Sequence, residues 1–145
     1  MSPAKRWLSF CVRLVLGGLF LYAGLSKISQ PYHFAAAIQA YQLLPQFLVG
    51  LTSVLIPWTE TVSAIALLLG RKSRSALLTF IILLAIFIGI IGLTMFRGLD
   101  IDCGCGLLAN NRVGWLVLAE DGALLLVIAW LYNALLPHAA GLPKS

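Results

Sequence analysis

The chain has 145 residues, of which 61% are hydrophobic and only 10% charged, with a formal charge of +5 and a mean hydropathy of +0.98. Soluble domains carry about 25% charged residues, so this composition excludes a water-soluble fold and points to one membrane-embedded domain. Lysines and arginines cluster at the ends of apolar runs, which makes the positive charge a signal of membrane topology and excludes a nucleic-acid-binding surface.

Taken in order, the basic start Lys5-Arg6 leads into an apolar run from Trp7. That run nears the ~20 residues a span requires and lacks an Ala-x-Ala cleavage site, so it reads as a retained first helix over about 7–26 rather than a signal peptide. Gly17, Gly18 and Gly24 offer positions for close helix approach, Arg13 can snorkel toward the basic end, and Cys11 reads as buried packing. Lys27 closes the helix. From Tyr32 to Leu44 the chain is too short and polar to span; Phe34, Ile38 and Tyr41 at i, i+4, i+7 predict an interfacial half-helix ended by Pro45, with His33 on its surface. A second span over about 47–69 carries Pro57 and Glu60, with a kink expected at the proline. Gly70-Arg71-Lys72-Ser73-Arg74 turns the chain into a third span, about 75–96. A loop over 97–112 follows, and the last span covers about 113–136, with Glu120 and Asp121 shallow and one of them at the outer rim. The fold class is all-α: a polytopic four-transmembrane-helix bundle in a single domain, 1–145, with a half-helix between helices 1 and 2.

Four spans place both termini on the side of the 71–74 turn, together with Lys5, Arg6, Arg13, Arg71, Lys72, Arg74 and Lys144. Lys27, Arg97 and Arg112 lie on the other side, beside most of the acids. The positive-inside rule then predicts cytoplasmic termini in the plasma (inner) membrane. It puts the 97–112 loop on the periplasmic or extracellular side, where disulfides persist.

That loop concentrates the reactive chemistry in Asp100-Ile101-Asp102-Cys103-Gly104-Cys105-Gly106. A disulfide between Cys103 and Cys105 would be tight, and departure from relaxed geometry makes such a bond easier to reduce, as suits an oxidant of other thiols. A static staple is the alternative, but closing so small a loop removes little chain entropy. A metal site is the other; Asp100, Asp102 and His33 leave its ligand set incomplete, so no metal is assigned. Lys27 and Arg97 end their helices on the loop's side, where either can stabilise a thiolate. Glu60 is the deepest acid; an intramembrane carboxyl is either a structural ion-pair partner of Lys27 or Arg97 or a proton carrier lining a cavity. No haem, flavin or iron–sulfur spacing is present, so electrons from a dithiol would leave through a diffusible two-electron carrier. In a bilayer that carrier is a quinone, ubiquinone or menaquinone, its tail between helices near Gly17 and Gly18 and its ring stacked on Trp58 or Tyr41. The candidate catalytic residues are therefore Cys103, Cys105 and Glu60, and the candidate cofactor-binding residues Lys27, Tyr41, Trp58 and Arg97.

Four stretches together resemble a known family: Gly18 to Lys27, Tyr41-Gln42-Leu43-Leu44-Pro45, Leu55-Ile56-Pro57-Trp58-Thr59-Glu60, and Arg97 through Cys105. They are similar to the MauE branch of the DoxX-like membrane proteins, with the Cys-Gly-Cys element the most specific part. The resemblance implies a four-helix membrane protein of methylamine utilisation. Such a protein would support disulfide formation in methylamine dehydrogenase with a periplasmic thioredoxin-like partner, and DoxX-type relatives are linked to quinone-dependent respiration. The expected function is thus a membrane thiol–disulfide oxidoreductase that oxidises that partner and passes electrons to quinone. A conduit delivering reductant outward and a non-catalytic assembly subunit are the alternatives.

Overall fold

The computed structural model describes residues 2–99 and 114–136. The predicted Cys103–Cys105 pair, its flanking acids and the tail with His138 lie outside the described residues. Among those described, all regular structure is helical: α1 (Pro3–Ser29), α2 (Pro31–Ala40), α3 (Gln46–Leu68), α4 (Ser73–Phe96) and α5 (Trp115–Leu135). Four of them, α1, α3, α4 and α5, are long and apolar enough to cross a membrane, and the chain is a multi-pass membrane protein.

Local chemistry sets the helix ends. Ser2 caps α1 by accepting a hydrogen bond from the Lys5 amide at 3.4 Å, and Pro3 occupies the first turn, where a missing N–H is harmless. Helix α1 therefore starts earlier than the apolar run suggested. Helices α3 and α4 end in the same motif. Gly70 (φ 71°) donates to the Leu67 carbonyl at 3.2 Å while Arg71 donates to Ala66 at 3.1 Å. Gly98 (φ 69°) donates to Met95 at 3.1 Å while Leu99 donates to Thr94 at 3.2 Å. Each glycine takes the left-handed conformation that such a C-terminal motif needs. Helix α2 is shorter than expected. It stops at Ala40 because Gln42 adopts a positive φ of 53°, and Pro45, expected to end it, instead opens α3 from an extended conformation.

Neighbours in sequence pack as neighbours in space: α1 lies against α3, α3 against α4, α4 against α5, and α5 closes back on α1, with α2 laid over α3 and the end of α1. Buried positions on α4 (Leu77, Phe80, Leu84, Ile91, Thr94) and on α5 (Val117, Asp121, Ile128, Leu131) recur at the three-, four- and seven-residue spacings of coiled-coil-like packing. Across the bundle the Phe20 and Phe80 rings stack at 4.1 Å and 15°, joining α1 to α4 through the largest apolar cluster. Ile91 and Val117 form a second, smaller cluster toward the other end. Large apolar side chains such as Val15, Tyr22, Leu55, Trp58, Val62 and Leu126 point outward, as lipid-facing surface should.

The tightest approach is between α1 and α3. A Cβ on Gly24 would collide with the Thr61 side chain and lie 3.2 Å from both the Pro57 carbonyl and the Thr61 amide; on Gly17 it would lie 2.6 Å from the Leu68 side chain. Gly18 faces open space. Small residues that let backbones approach are how membrane helices associate without a hydrophobic drive between them. Helix α3 continues unbroken through the buried Pro57, and Thr61 donates its hydroxyl to the Pro57 carbonyl at 2.8 Å. Cys11, read from sequence as buried packing, is exposed: the buried stripe of α1 runs through Ser9, Leu16, Phe20 and Ala23 and misses it.

Gly24→Ala should destabilise the bundle by about 1–3 kcal/mol through overpacking. Gly18→Ala should be neutral or stabilise it by up to about 1 kcal/mol. Denaturation of both variants in one detergent measures the difference.

Candidate functional site

Lys27 and Glu60 come together because α1 and α3 run antiparallel at close range. Lys27 sits in the last turn of α1, and its Nζ donates to Glu60 Oε2 at 2.8 Å. Glu60 lies about 21 Å along α3 from Gln46, at a rise of about 1.5 Å per residue, well inside the span. The two side chains are only 13% and 7% exposed. An isolated charge at this depth is expensive, and a partner with good geometry is what makes burial tolerable. Phe34, from α2, places its ring 5.5 Å from Lys27 Nζ and shields the cation.

This pair borders a cavity of about 440 Å³ between α1, α2, α3, α4 and α5. Its walls are mostly apolar, with Ile38, Ile56, Leu84 and Phe87 among them, and its polar lining includes Lys27, Tyr41, Glu60 and Asp121. Asp121 is 5% exposed, and its Oδ2 is buried with no hydrogen-bond partner among the described residues. Tyr41 follows α2 directly and is buried. Desolvation, and secondly the charge of Asp121, push its phenol up to about 12, so it keeps its proton throughout the physiological range. Arg97, at the end of α4, donates from Nη1 to the Tyr41 carbonyl at 3.5 Å, at the edge of hydrogen-bond range.

Of the residues singled out from sequence, Lys27, Tyr41 and Glu60 share this cavity, and Arg97 stands beside it. Trp58 does not: it is 56% exposed on the outer face of α3, because the buried stripe of that helix runs through Pro57, Glu60, Thr61 and Ala64. Gly17 is filled by Leu68 and Gly18 faces away, so neither opens onto the cavity. His33 is exposed on α2. From sequence, Glu120 and Asp121 read as shallow acids with one of them at the outer rim; Asp121 instead lines the cavity. The signal that would have placed it is the spacing Val117, Asp121, Ile128, Leu131, which sets it on the buried stripe and leaves Glu120 beside it half-buried. Among the described residues no three His, Cys, Asp or Glu side chains gather as a metal would require.

The chain matches the family described as methylamine utilisation protein MauE over residues 5–134. It is 28% identical to the methylamine utilization protein MauE of Paracoccus denitrificans, in an alignment covering 100% of this chain and 74% of the relative. It is 30% identical to that of Paracoccus versutus, over 95% of this chain and 73% of the relative. To that of Methylophilus methylotrophus it is 36% identical, over 67% of this chain and 50% of the relative. No solved structure matches.

Removing one partner of the buried pair should cost about 3–5 kcal/mol, because the survivor is left as an uncompensated charge, whereas removing both should restore much of the loss. Lys27→Met, Glu60→Gln and the double variant, compared by thermal unfolding in detergent, complete the cycle. Additive single losses would mean the two groups are not coupled.

Proposed function

Since the chain belongs to the MauE family of methylamine utilisation proteins, we propose that it is a membrane thiol–disulfide oxidoreductase of that system. In this reading Cys103 and Cys105 oxidise a periplasmic thioredoxin-like partner, and a quinone occupies the cavity beside Lys27 and Glu60. The observation that carries the proposal is the cavity itself: an apolar chamber among membrane spans, reached by an ammonium, two carboxyl groups and a phenol. An apolar pocket with a few convergent polar groups is the usual form of a small-molecule site. The unpartnered Asp121 Oδ2 leaves an acceptor there for the hydroxyl of a reduced quinone.

The thiol chemistry balances within this scheme. A partner thiolate attacks one sulfur of the Cys103–Cys105 disulfide and forms a mixed disulfide; the partner's second thiolate resolves it, leaving the partner oxidised and the Cys103/Cys105 pair as a dithiol that has gained two electrons and two protons. A quinone, when bound, supplies the sink for those two electrons and two protons. Lys27 and the Tyr41 hydroxyl can donate hydrogen bonds to carbonyl oxygens, and the apolar walls exclude water. Glu60 and Asp121 are the carboxyl groups that line the cavity inside the span, where they are placed to relay protons. Arg97, next to Tyr41, is the described cation nearest in sequence to the loop that carries the cysteines, and suits stabilisation of a thiolate. The charge distribution supports cytoplasmic termini and an outward-facing cysteine loop in the inner membrane.

Two experiments test this. Purified protein, given reduced thioredoxin and a soluble quinone, should bleach the quinone absorbance; Cys103→Ser and Cys105→Ser should abolish the bleaching and Cys11→Ser should not. Glu60→Gln and Asp121→Asn should each slow it by about a hundredfold if they relay protons. Bleaching that survives loss of either loop cysteine rejects the mechanism. For topology, a Cys11→Ser background carrying either the native loop cysteines or Arg71→Cys should label from opposite sides of sealed vesicles with an impermeant maleimide after reduction. Labelling of both from one side overturns the orientation.

A further inference from the structure

We propose that the basic end of the bundle holds the phosphodiester headgroup of an anionic phospholipid in a groove along the start of α1. This site is separate from the cavity above and does not depend on the redox reading. The groove, about 660 Å³, runs between the first turns of α1 and Leu135 of α5, with Arg6, Ser9 and Arg13 as polar lining and Trp7 and Phe10 as apolar lining. Positions 6, 9 and 13 follow one another by three and four residues, so they lie on one face of the helix.

Two buried polar atoms point to a missing partner. Ser9 is 5% exposed, and its Oγ has no hydrogen-bond partner among the described residues; Arg13 Nε is likewise buried and unpartnered. The rest of the Arg13 head is held in place. Its guanidinium carbon lies 5.3 Å from the Phe10 ring centroid, and a Cβ on Gly70 would lie 3.2 Å from its Nη1. That contact puts Arg13 level with the basic 70–74 turn, at a membrane boundary. Among the described residues the ion pair is Lys27–Glu60, so neither Arg6 nor Arg13 meets a carboxylate there.

The missing partner must be an anion with several acceptor oxygens, able to satisfy a hydroxyl and a guanidinium fork together. Phosphate does this, and arginine binds it bidentately. At this depth the abundant phosphate is on lipid, and basic pockets between membrane helices hold such headgroups. Trp7 and Phe10 are 70% and 44% exposed beside the cations and offer apolar surface to acyl chains, with the tryptophan at the level where membrane interfaces favour it.

The test is native mass spectrometry of the full chain released from micelles of mixed phosphatidylglycerol and phosphatidylcholine. The expected result is about tenfold preferential retention of phosphatidylglycerol. The double variant Arg13→Gln, Ser9→Ala should lose that preference, and Arg13→Lys should recover only part of it, because an ammonium lacks the planar fork. Arg6→Gln, in the exposed first turn where folding is not at stake, should lower it about threefold, whereas Arg71→Gln on the neighbouring turn should leave it unchanged. Equal retention of the two lipids, or an equal loss in Arg71→Gln, overturns the site. Displacement of phosphatidylglycerol by excess inorganic phosphate would reassign the groove to free phosphate and overturn the lipid proposal.

Discussion

The buried Lys27–Glu60 pair is the constraint on which the bundle's register depends. Either charge alone inside a bilayer is unfavourable by several kcal/mol, so α1 and α3 are held where ammonium and carboxylate meet at 2.8 Å. A slip of one helical turn would carry them about 5.4 Å past each other. The small residues of α1 make this alignment reachable: Gly24 lets the helix rest on Pro57 and Thr61, and Gly17 accepts Leu68 a little under two turns further along α3. Close packing and charge pairing therefore specify the same register, and each would be frustrated without the other.

Around that pair the interior divides by depth. The cluster built on Phe20, Phe80, Leu77, Ile128 and Leu131 seals one end of the bundle, and Ile91 with Val117 seals the other. Asp121 falls on α5 between Val117 and Ile128, so the polar layer interrupts an otherwise apolar core. A polar layer in a membrane core without a ligand is poor design for stability alone, since an unsatisfied buried acceptor is costly. The proposed quinone would give that layer a use, since a bound ring would bring oxygens to its polar groups. Helix α2 and the Tyr41 that follows it complete the chamber by turning Phe34, Ala37 and Tyr41 inward, which makes this short stretch part of the cavity wall as well as a connection between spans.

The four spans were legible in the sequence because apolar runs of this length have no other stable use, and the family was legible from local motifs around Lys27, Glu60 and the loop cysteines. The ion pair was among the anticipated partners of Glu60 because few cations lie near enough in the membrane to be candidates. What the sequence hid was rotation about each helix axis. Trp58 and Glu60 are two residues apart, yet one faces lipid and the other the interior, and only packing against α1 decides which. Asp121 and Glu120 are adjacent and differ in the same way; hydropathy sees two acids, while the heptad spacing of α5 selects one. Pro45 reads as the terminator of α2, but the left-handed Gln42 stops the helix before the chain reaches it. Gly17 was legible as a contact position, but the contact is with Leu68 of this chain rather than with a bound molecule.

Photolabelling tests the proposed binding of a quinone in this chamber most directly. A photoreactive azidoquinone, irradiated with the purified protein and mapped by peptide mass spectrometry, should attach to the cavity walls around Ile38, Ile56 and Phe87, and an excess of the unmodified quinone should suppress that labelling. Attachment spread over the lipid-facing surface, at Trp58, Val62 and Leu126 as readily as in the cavity and insensitive to competitor, would contradict it.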